Sequence, residues 1–96
     1  METKAIILST LKAHKEELAR KYQLKSLGIF GSFSREDYKE FSDVDILVEF
    51  DQPVGIEFID LAIELEKILE KKVDLVSRNG VKSRYIKEIE KDLIYV

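Results

Sequence analysis

The clearest structural pattern in this chain is the sequence Ser42-Asp43-Val44-Asp45-Ile46-Leu47-Val48-Glu49-Phe50. Apolar residues recur at every second position, which is the side-chain period of a β-strand and predicts a strand over Val44–Phe50. One face of that strand carries the apolar residues Val44, Ile46, Val48 and Phe50. The other face carries Asp43, Asp45, Leu47 and Glu49. The two aspartates therefore point to one side of the predicted sheet.

Further strands are predicted on both sides of this stretch. Leu24–Phe30 is short, rich in apolar residues and ends at Gly31. Residues 72–77 form a third predicted strand, in which Asp74 faces away from its apolar neighbours. Residues 92–96 predict a last short strand.

Helices are predicted between these strands from apolar residues at helical spacing. The predicted helices are residues 3–22, residues 32–38 with Ser32 or Ser34 as N-cap, residues 55–71, and a final helix after the Asn79-Gly80 turn signal. The inward side of this final helix is predicted to carry Val81, Tyr85, Ile86 and Ile89. The order is α-β-α-β-α-β-α, and alternating elements with short links imply one sheet covered by helices, an α/β (α+β) fold.

Composition restricts the classes of function. The chain has 96 residues, a net charge of −3 and no cysteine, which predicts a single domain over residues 1–96 without disulfides or thiolate metal sites. Long apolar runs and a signal-peptide pattern are absent from the sequence, so we expect a cytoplasmic protein with no membrane span. Acids and bases alternate without a basic block, so direct nucleic-acid binding is not indicated.

The paired aspartates predict a metal site. Two carboxylates this close repel each other unless a cation lies between them. Hard oxygen ligands without histidine or cysteine suit Mg²⁺ or Mn²⁺, and Mg²⁺ prefers one or two carboxylates plus substrate phosphates. Asp74, on a neighbouring predicted strand, is a candidate third ligand or a base for an attacking hydroxyl.

The segment Gly31-Ser32-Phe33-Ser34-Arg35 predicts a phosphate site. Gly31 ends a strand and permits close backbone approach, and Ser32 opens a short helix whose first N–H groups are free to receive phosphate oxygens. Arg35 is placed to reach a phosphate or to brace the loop against an acid.

Each of these features also has a purely structural interpretation. Gly-Ser after a strand is a common turn, Asp-x-Asp is a frequent cap, and Asp74 fits a solvent-facing strand residue. Arg35 fits a surface ion pair. His14, the only histidine, is interpreted as a residue at the helix surface or boundary.

In combination, the motifs resemble the nucleotidyltransferase superfamily of DNA polymerase beta. They are most similar to the minimal nucleotidyltransferases, the MNT antitoxins of prokaryotic HEPN–MNT pairs. The similarity rests on Gly31-Ser32, on Arg35, on residues 42–50, in which Asp43 lies twelve positions after Gly31, and on Lys72-Val73-Asp74-Leu75-Val76. Glu36 departs from the pattern, because these proteins often carry glycine directly after the arginine.

The resemblance implies the nucleotidyltransferase fold with a small mixed sheet and a magnesium-dependent transferase that uses ATP. Asp43, Asp45 and Asp74 would be the catalytic and metal-binding residues, and Gly31, Ser32 and Arg35 would bind the nucleotide. The acceptor would be a tyrosine hydroxyl of a HEPN ribonuclease toxin, bound in trans in a homo- or hetero-oligomer.

Two other functions remain open from the sequence: an antitoxin that neutralises the toxin by contact alone, and a nucleotide sensor without turnover. A haloacid-type phosphatase also uses Asp-x-Asp, but its apolar strand precedes the first aspartate, whereas here the apolar strand follows it.

Overall fold

The computed structural model of the protein describes residues 3–96. Its elements in chain order are α1 (Lys4–Tyr22), β1 (Leu24–Phe30), α2 (Gly31–Arg35), β2 (Val44–Phe50), α3 (Glu57–Leu69), β3 (Val73–Ser77), a 3₁₀ turn (Arg78–Gly80), α4 (Ser83–Glu90) and β4 (Ile94–Tyr95). The four strands form one sheet in the order β3-β2-β1-β4. β2 pairs in parallel with β3 and antiparallel with β1, and β4 pairs antiparallel with β1. The predicted small mixed sheet is therefore confirmed.

The first helix begins and ends as its sequence predicts. The Thr3 hydroxyl accepts a hydrogen bond from the Ile6 N–H at 3.2 Å, which caps the helix. Gln23 ends it in the left-handed conformation. The His14 side chain is half-buried, and its Nδ1 atom lies 2.9 Å from the Thr10 carbonyl oxygen. The interpretation of His14 as a residue at the helix boundary is therefore confirmed.

The core lies between α1, α3 and one face of the sheet. The alternation in β2 is confirmed, because all four residues assigned to its apolar face are buried. The buried core consists of Ile7, Leu11, Leu18, Tyr22, Leu24, Leu27, Ile29, Phe33, Val44, Ile46, Val48, Phe50, Leu61, Leu65 and Leu69. The aspartates of β2 and β3 are therefore left on the opposite face of the sheet.

A polar contact joins the two helices of this layer. Glu64 on α3 accepts hydrogen bonds from the Tyr22 hydroxyl at 2.7 Å and from Lys21 Nζ at 2.9 Å. Burial and this contact with a carboxylate raise the pKa of Tyr22 to about 12. The Tyr22 hydroxyl therefore stays protonated and continues to donate near neutral pH.

The last part of the chain adds β4 to the edge of the sheet beside β1. Gly28 on β1 allows β4 to approach, because a Cβ atom there would lie 2.8 Å from the Ile94 carbonyl oxygen. The Arg78 guanidinium donates to the Tyr95 hydroxyl at 2.7 Å and to Glu90 at 3.3 Å. These contacts tie the end of β3 to α4 and β4 across a long separation in sequence.

Several details of the predicted elements are wrong. The second helix covers Gly31–Arg35 rather than residues 32–38, and Val81 precedes α4 instead of lying on its inward side. Tyr85 is 52% exposed, and α4 buries none of its residues fully, because it packs by the edge that carries Ile86 and Ile89. Neither Ser32 nor Ser34 caps α2, whose N-cap position is Phe30 without a side-chain hydrogen bond.

None of the helices within residues 3–96 combines the length and the apolar character needed to span a membrane.

Candidate active site

Asp45 and Asp74 lie side by side on the open face of the sheet. They are direct register partners in the parallel pair of β2 and β3. Asp45 is half-buried and Asp74 is exposed. The strand phase in the sequence predicts this juxtaposition, since residues opposite each other in a parallel pair project to the same face.

Asp43 stands at the entrance to this face. It precedes β2 by one residue, is exposed to solvent, and its charge acts on Asp45. Within residues 3–96, no three acidic or histidine side chains already converge on one point as a closed metal centre. The structure therefore pairs Asp45 with Asp74 and places Asp43 beside them.

The environment of Asp45 disfavours its negative charge. Burial, followed by the neighbouring charges of Asp74 and Asp43, raises the pKa of Asp45 from 3.8 to about 6. The positive charge of Arg35 opposes this shift only partly. An excess of carboxylates held close together is the donor set that a hard divalent cation neutralises, so these residues fit Mg²⁺ or Mn²⁺.

Gly31 brings the start of α2 against the Asp45 carboxylate. Its φ angle is +72°, in the left-handed region that favours glycine, and an added Cβ atom would overlap Asp45 Oδ2. Phe30, the preceding residue, is the register partner of Asp45 in β1. The close approach of backbone and carboxylate therefore depends on glycine at position 31.

The helix that follows is short and held at both ends by left-handed residues. It ends at Glu36, whose φ angle is +67° and whose N–H donates to the Ser32 carbonyl. Glycine is favoured in this conformation, which explains why the related pattern often carries glycine here. Glu36 keeps the left-handed conformation without that residue.

Arg35 makes ion pairs with two acids in this structure. Its Nε atom donates to Asp37 Oδ2 and its terminal nitrogen donates to Asp92 Oδ2, both at 2.9 Å. The hydrogen bonds to these carboxylates raise the pKa of Arg35. The sequence left two roles open for Arg35: binding a phosphate, or bracing the loop against an acid. The structure shows the second role, with Asp37 and Asp92 as the acids.

Two residues that support this face were not identified from the sequence. The buried Ser34 hydroxyl donates to the Asp92 carbonyl, and the Asp92 carboxylate receives the bond from Arg35. Asp92 is separated from Arg35 by 57 positions, so no local pattern links them. The burial of Ser34 is likewise a property of the folded chain, so the sequence carries no signal for either residue.

Comparison with known proteins assigns this arrangement to a family. The model of the nucleotidyltransferase domain family matches residues 11–96. The protein adenylyltransferase MntA of Thermococcus cleftensis is 43% identical over 91 residues, which cover 94% of this chain and 92% of that protein.

Solved structures agree with this assignment. A structure described as a minimal nucleotidyltransferase superposes with a TM-score of 0.76 at 29% identity and covers 93% of this chain and 95% of its own. An MNT antitoxin in complex with the tri-AMPylated HEPN toxin of Shewanella oneidensis gives a TM-score of 0.69 at 22% identity, over 93% of this chain and 70% of that one. The second similarity concerns the fold alone.

Proposed function

Because this chain belongs to the nucleotidyltransferase domain family, we propose that it transfers AMP from ATP to a hydroxyl group of a partner protein. The observation that carries the proposal is the paired Asp45 and Asp74 on an open sheet face, with the backbone of Gly31 against Asp45. This geometry supports the proposal, because the backbone that would bind phosphate lies next to the carboxylates that would bind a divalent cation. The full-length similarity to a protein adenylyltransferase supports the same reaction.

The carboxylates would hold the metal ion of this reaction. Asp43, Asp45 and Asp74 offer only hard oxygen donors, which suits Mg²⁺ and also Mn²⁺. Bound there, Mg²⁺ would neutralise negative charge on the triphosphate and on the departing pyrophosphate.

Other residues of the site would take part in proton transfer and phosphate binding. Asp74 is exposed beside Asp45 and would accept the proton of the acceptor hydroxyl. The hydroxyl oxygen forms a bond to the α-phosphorus of ATP, the bond from that phosphorus to the bridging oxygen breaks, and pyrophosphate leaves. Gly31 and Ser32 would hold phosphate oxygens through backbone N–H groups, while Arg35 adds positive charge beside them.

The partner we propose is a HEPN ribonuclease toxin, with a tyrosine hydroxyl as acceptor. The support is the related fold of an MNT antitoxin seen in complex with a tri-AMPylated HEPN toxin. Adenylate on that tyrosine adds negative charge and bulk where RNA phosphates must bind, so cleavage of RNA stops. The chain would thus act in the cytoplasm as an antitoxin.

The experiment is transfer of label to the toxin. The chain is mixed with Mg²⁺, the partner toxin, and ATP labelled on either the α- or the γ-phosphate. We expect covalent label on the toxin from the α-label only, and a loss of at least about 100-fold in Asp45→Asn, since one oxygen ligand of the metal disappears. The matched control is Asp51→Asn, an exposed acid just beyond the other end of the same strand.

The alternative function is neutralisation by binding alone. The exposed Asp43 and the absence of a preformed closed centre within residues 3–96 are compatible with it. If the Asp43→Asn/Asp45→Asn variant still rescues toxin-expressing cells and neither phosphate label reaches the toxin, the enzyme proposal is rejected in favour of binding.

A further inference from the structure

Phe41 is a large apolar side chain that the fold leaves in solvent. It is 88% exposed, more than the other exposed large apolar residues of the part of the chain that is described. It packs against no part of the core cluster. Its position is two residues before Asp43, so the two Cα atoms lie within about 7 Å of each other.

The turn that carries Phe41 is ordered by its own hydrogen bonds. The Ser42 N–H donates to the Lys39 carbonyl at 2.9 Å, and the Lys39 N–H donates to the Ser42 hydroxyl at 2.8 Å. Lys71 donates to the Glu40 carbonyl at 3.4 Å and ties the turn to the start of β3. The backbone that carries the ring is therefore held in place, which lowers the entropic cost of binding.

The segment leading into the turn is anchored in the core. Tyr38 stacks on the buried Phe33 ring with centroids 4.1 Å apart. Lys71, which holds the turn, also lies over the Phe33 ring at 5.4 Å. The chain thus presents Phe41 on a supported projection next to the candidate active site.

The charges around Phe41 favour a protein over a nucleotide. Residues 36–43 contain four acids (Glu36, Asp37, Glu40 and Asp43) and one base (Lys39). Glu36 and Asp37 are paired with Lys4 and Arg35, whereas no ion pair is seen for Glu40 or Asp43 within residues 3–96. A triphosphate without a bound cation is repelled by such a rim, while a cationic protein surface is attracted to it.

From these observations we propose that Phe41 inserts into an apolar pocket, rimmed by lysine or arginine, on the protein acceptor of the transfer reaction. This inference rests on the proposed function and adds the contact that selects the acceptor. A ribonuclease surface that holds RNA phosphates carries the positive charge this rim requires. Aromatic anchors of this kind contribute a large share of the binding energy at protein interfaces.

The test separates acceptor binding from nucleotide binding. Initial rates of AMP transfer are measured for Phe41→Ala over a range of toxin concentrations and, separately, of ATP concentrations. We expect the KM for the toxin to rise about tenfold, because burial of a phenylalanine ring is worth at least that factor. The kcat at saturating toxin and the KM for ATP should stay within about twofold of the wild type.

Two further variants sharpen this test. Phe41→Leu keeps an apolar anchor and should restore most of the affinity for the toxin. Ile59→Ala shortens another exposed apolar side chain, 57% exposed on α3, and should change neither KM. A rise in the KM for ATP alone, equal losses in Phe41→Ala and Ile59→Ala, or no change in Phe41→Ala would each overturn the proposal.

Failure of the proposed function gives a different result. If the wild-type chain transfers no label, the Phe41 contact is tested by binding alone. The toxin is titrated calorimetrically into the wild type and into Phe41→Ala, and the two Kd values are compared. A tenfold increase of Kd in the variant supports the Phe41 contact, and equal Kd values reject it.

Discussion

The Asp45 carboxyl is half-buried between Asp74, its partner on the neighbouring strand, and Asp43, two residues before it. Its charged form loses hydration and faces two like charges, and these causes raise its pKa to about 6. The residue is therefore unfavourable for the stability of the metal-free protein. This cost to stability is what we expect of carboxylates that serve to bind a cation.

This environment predicts an unusual dependence of stability on pH. The folded-state pKa of Asp45 lies above its ordinary value of 3.8, so the folded chain binds the proton more tightly than the unfolded chain. The contribution of Asp45 to the free energy of unfolding is largest below pH 4, falls as the pH rises through about 6, and is then constant. In EDTA, Asp45→Asn should be more stable than the wild type by about 1–2 kcal/mol at pH 7, after allowance for solvent screening.

Urea unfolding of both proteins at pH 4, 5, 6 and 7 measures this difference. Asp51→Asn, at an exposed acid, serves as the control and should not show the trend. A constant difference between Asp45→Asn and the wild type at all four pH values would contradict the assigned environment of Asp45.

At the scale of elements, the junction of β1 and α2 controls the site. Gly31 turns the chain with a positive φ angle and lets the backbone touch the Asp45 carboxylate on β2. Ser34 and Arg35 then fasten α2 to Asp92, near the end of the chain. Three segments that are distant in sequence thereby fix the position of one short helix.

Replacement of Gly31 by alanine tests this junction. We expect a loss of about 1–2 kcal/mol in the free energy of unfolding, because a non-glycine residue is strained in the left-handed region. The added methyl group also displaces the Asp45 carboxylate, so transfer activity should fall well beyond the loss of stability. Gly80→Ala is the matched control, since a Cβ atom there meets open space. Equal effects of the two substitutions in chemical denaturation would contradict the role of the junction.

The regular elements were predictable because they follow local rules. The bounds of β1 and β2 agree with their predicted bounds, since both carry a clear pattern and are followed by a break. The first helix follows its apolar spacing and its Thr3 cap. Asp45 and Asp74 lie on one face of the sheet because strand phase decides the face to which each side chain points.

What the sequence could not show depends on contacts between distant segments. The inward position of Tyr85 was wrong: α4 packs by Ile86 and Ile89, and Tyr85 lies about 100° around the helix from Ile86. The partnership of Arg35 with Asp92 and the burial of Ser34 arise from the return of the chain to α2. Periodicity and spacing carry no information about such contacts.

On the scale of the whole molecule, the apolar core and the acidic residues lie on opposite faces of the sheet. One face, under α1 and α3, holds the apolar core, and the other carries the acids. The net charge of −3 does not reveal this division, since it sums over both faces. The central claim is that the acidic face binds a nucleoside triphosphate together with a divalent cation.

The most direct test of this claim is calorimetric titration of the chain with ATP, with and without Mg²⁺. We expect binding that strengthens at least about tenfold with Mg²⁺ in the wild type, because a hard cation joins the carboxylates to the phosphates. In Asp43→Asn/Asp45→Asn this strengthening should disappear, while Asp51→Asn keeps it. Unchanged magnesium-dependent binding of ATP in the double variant would contradict the site.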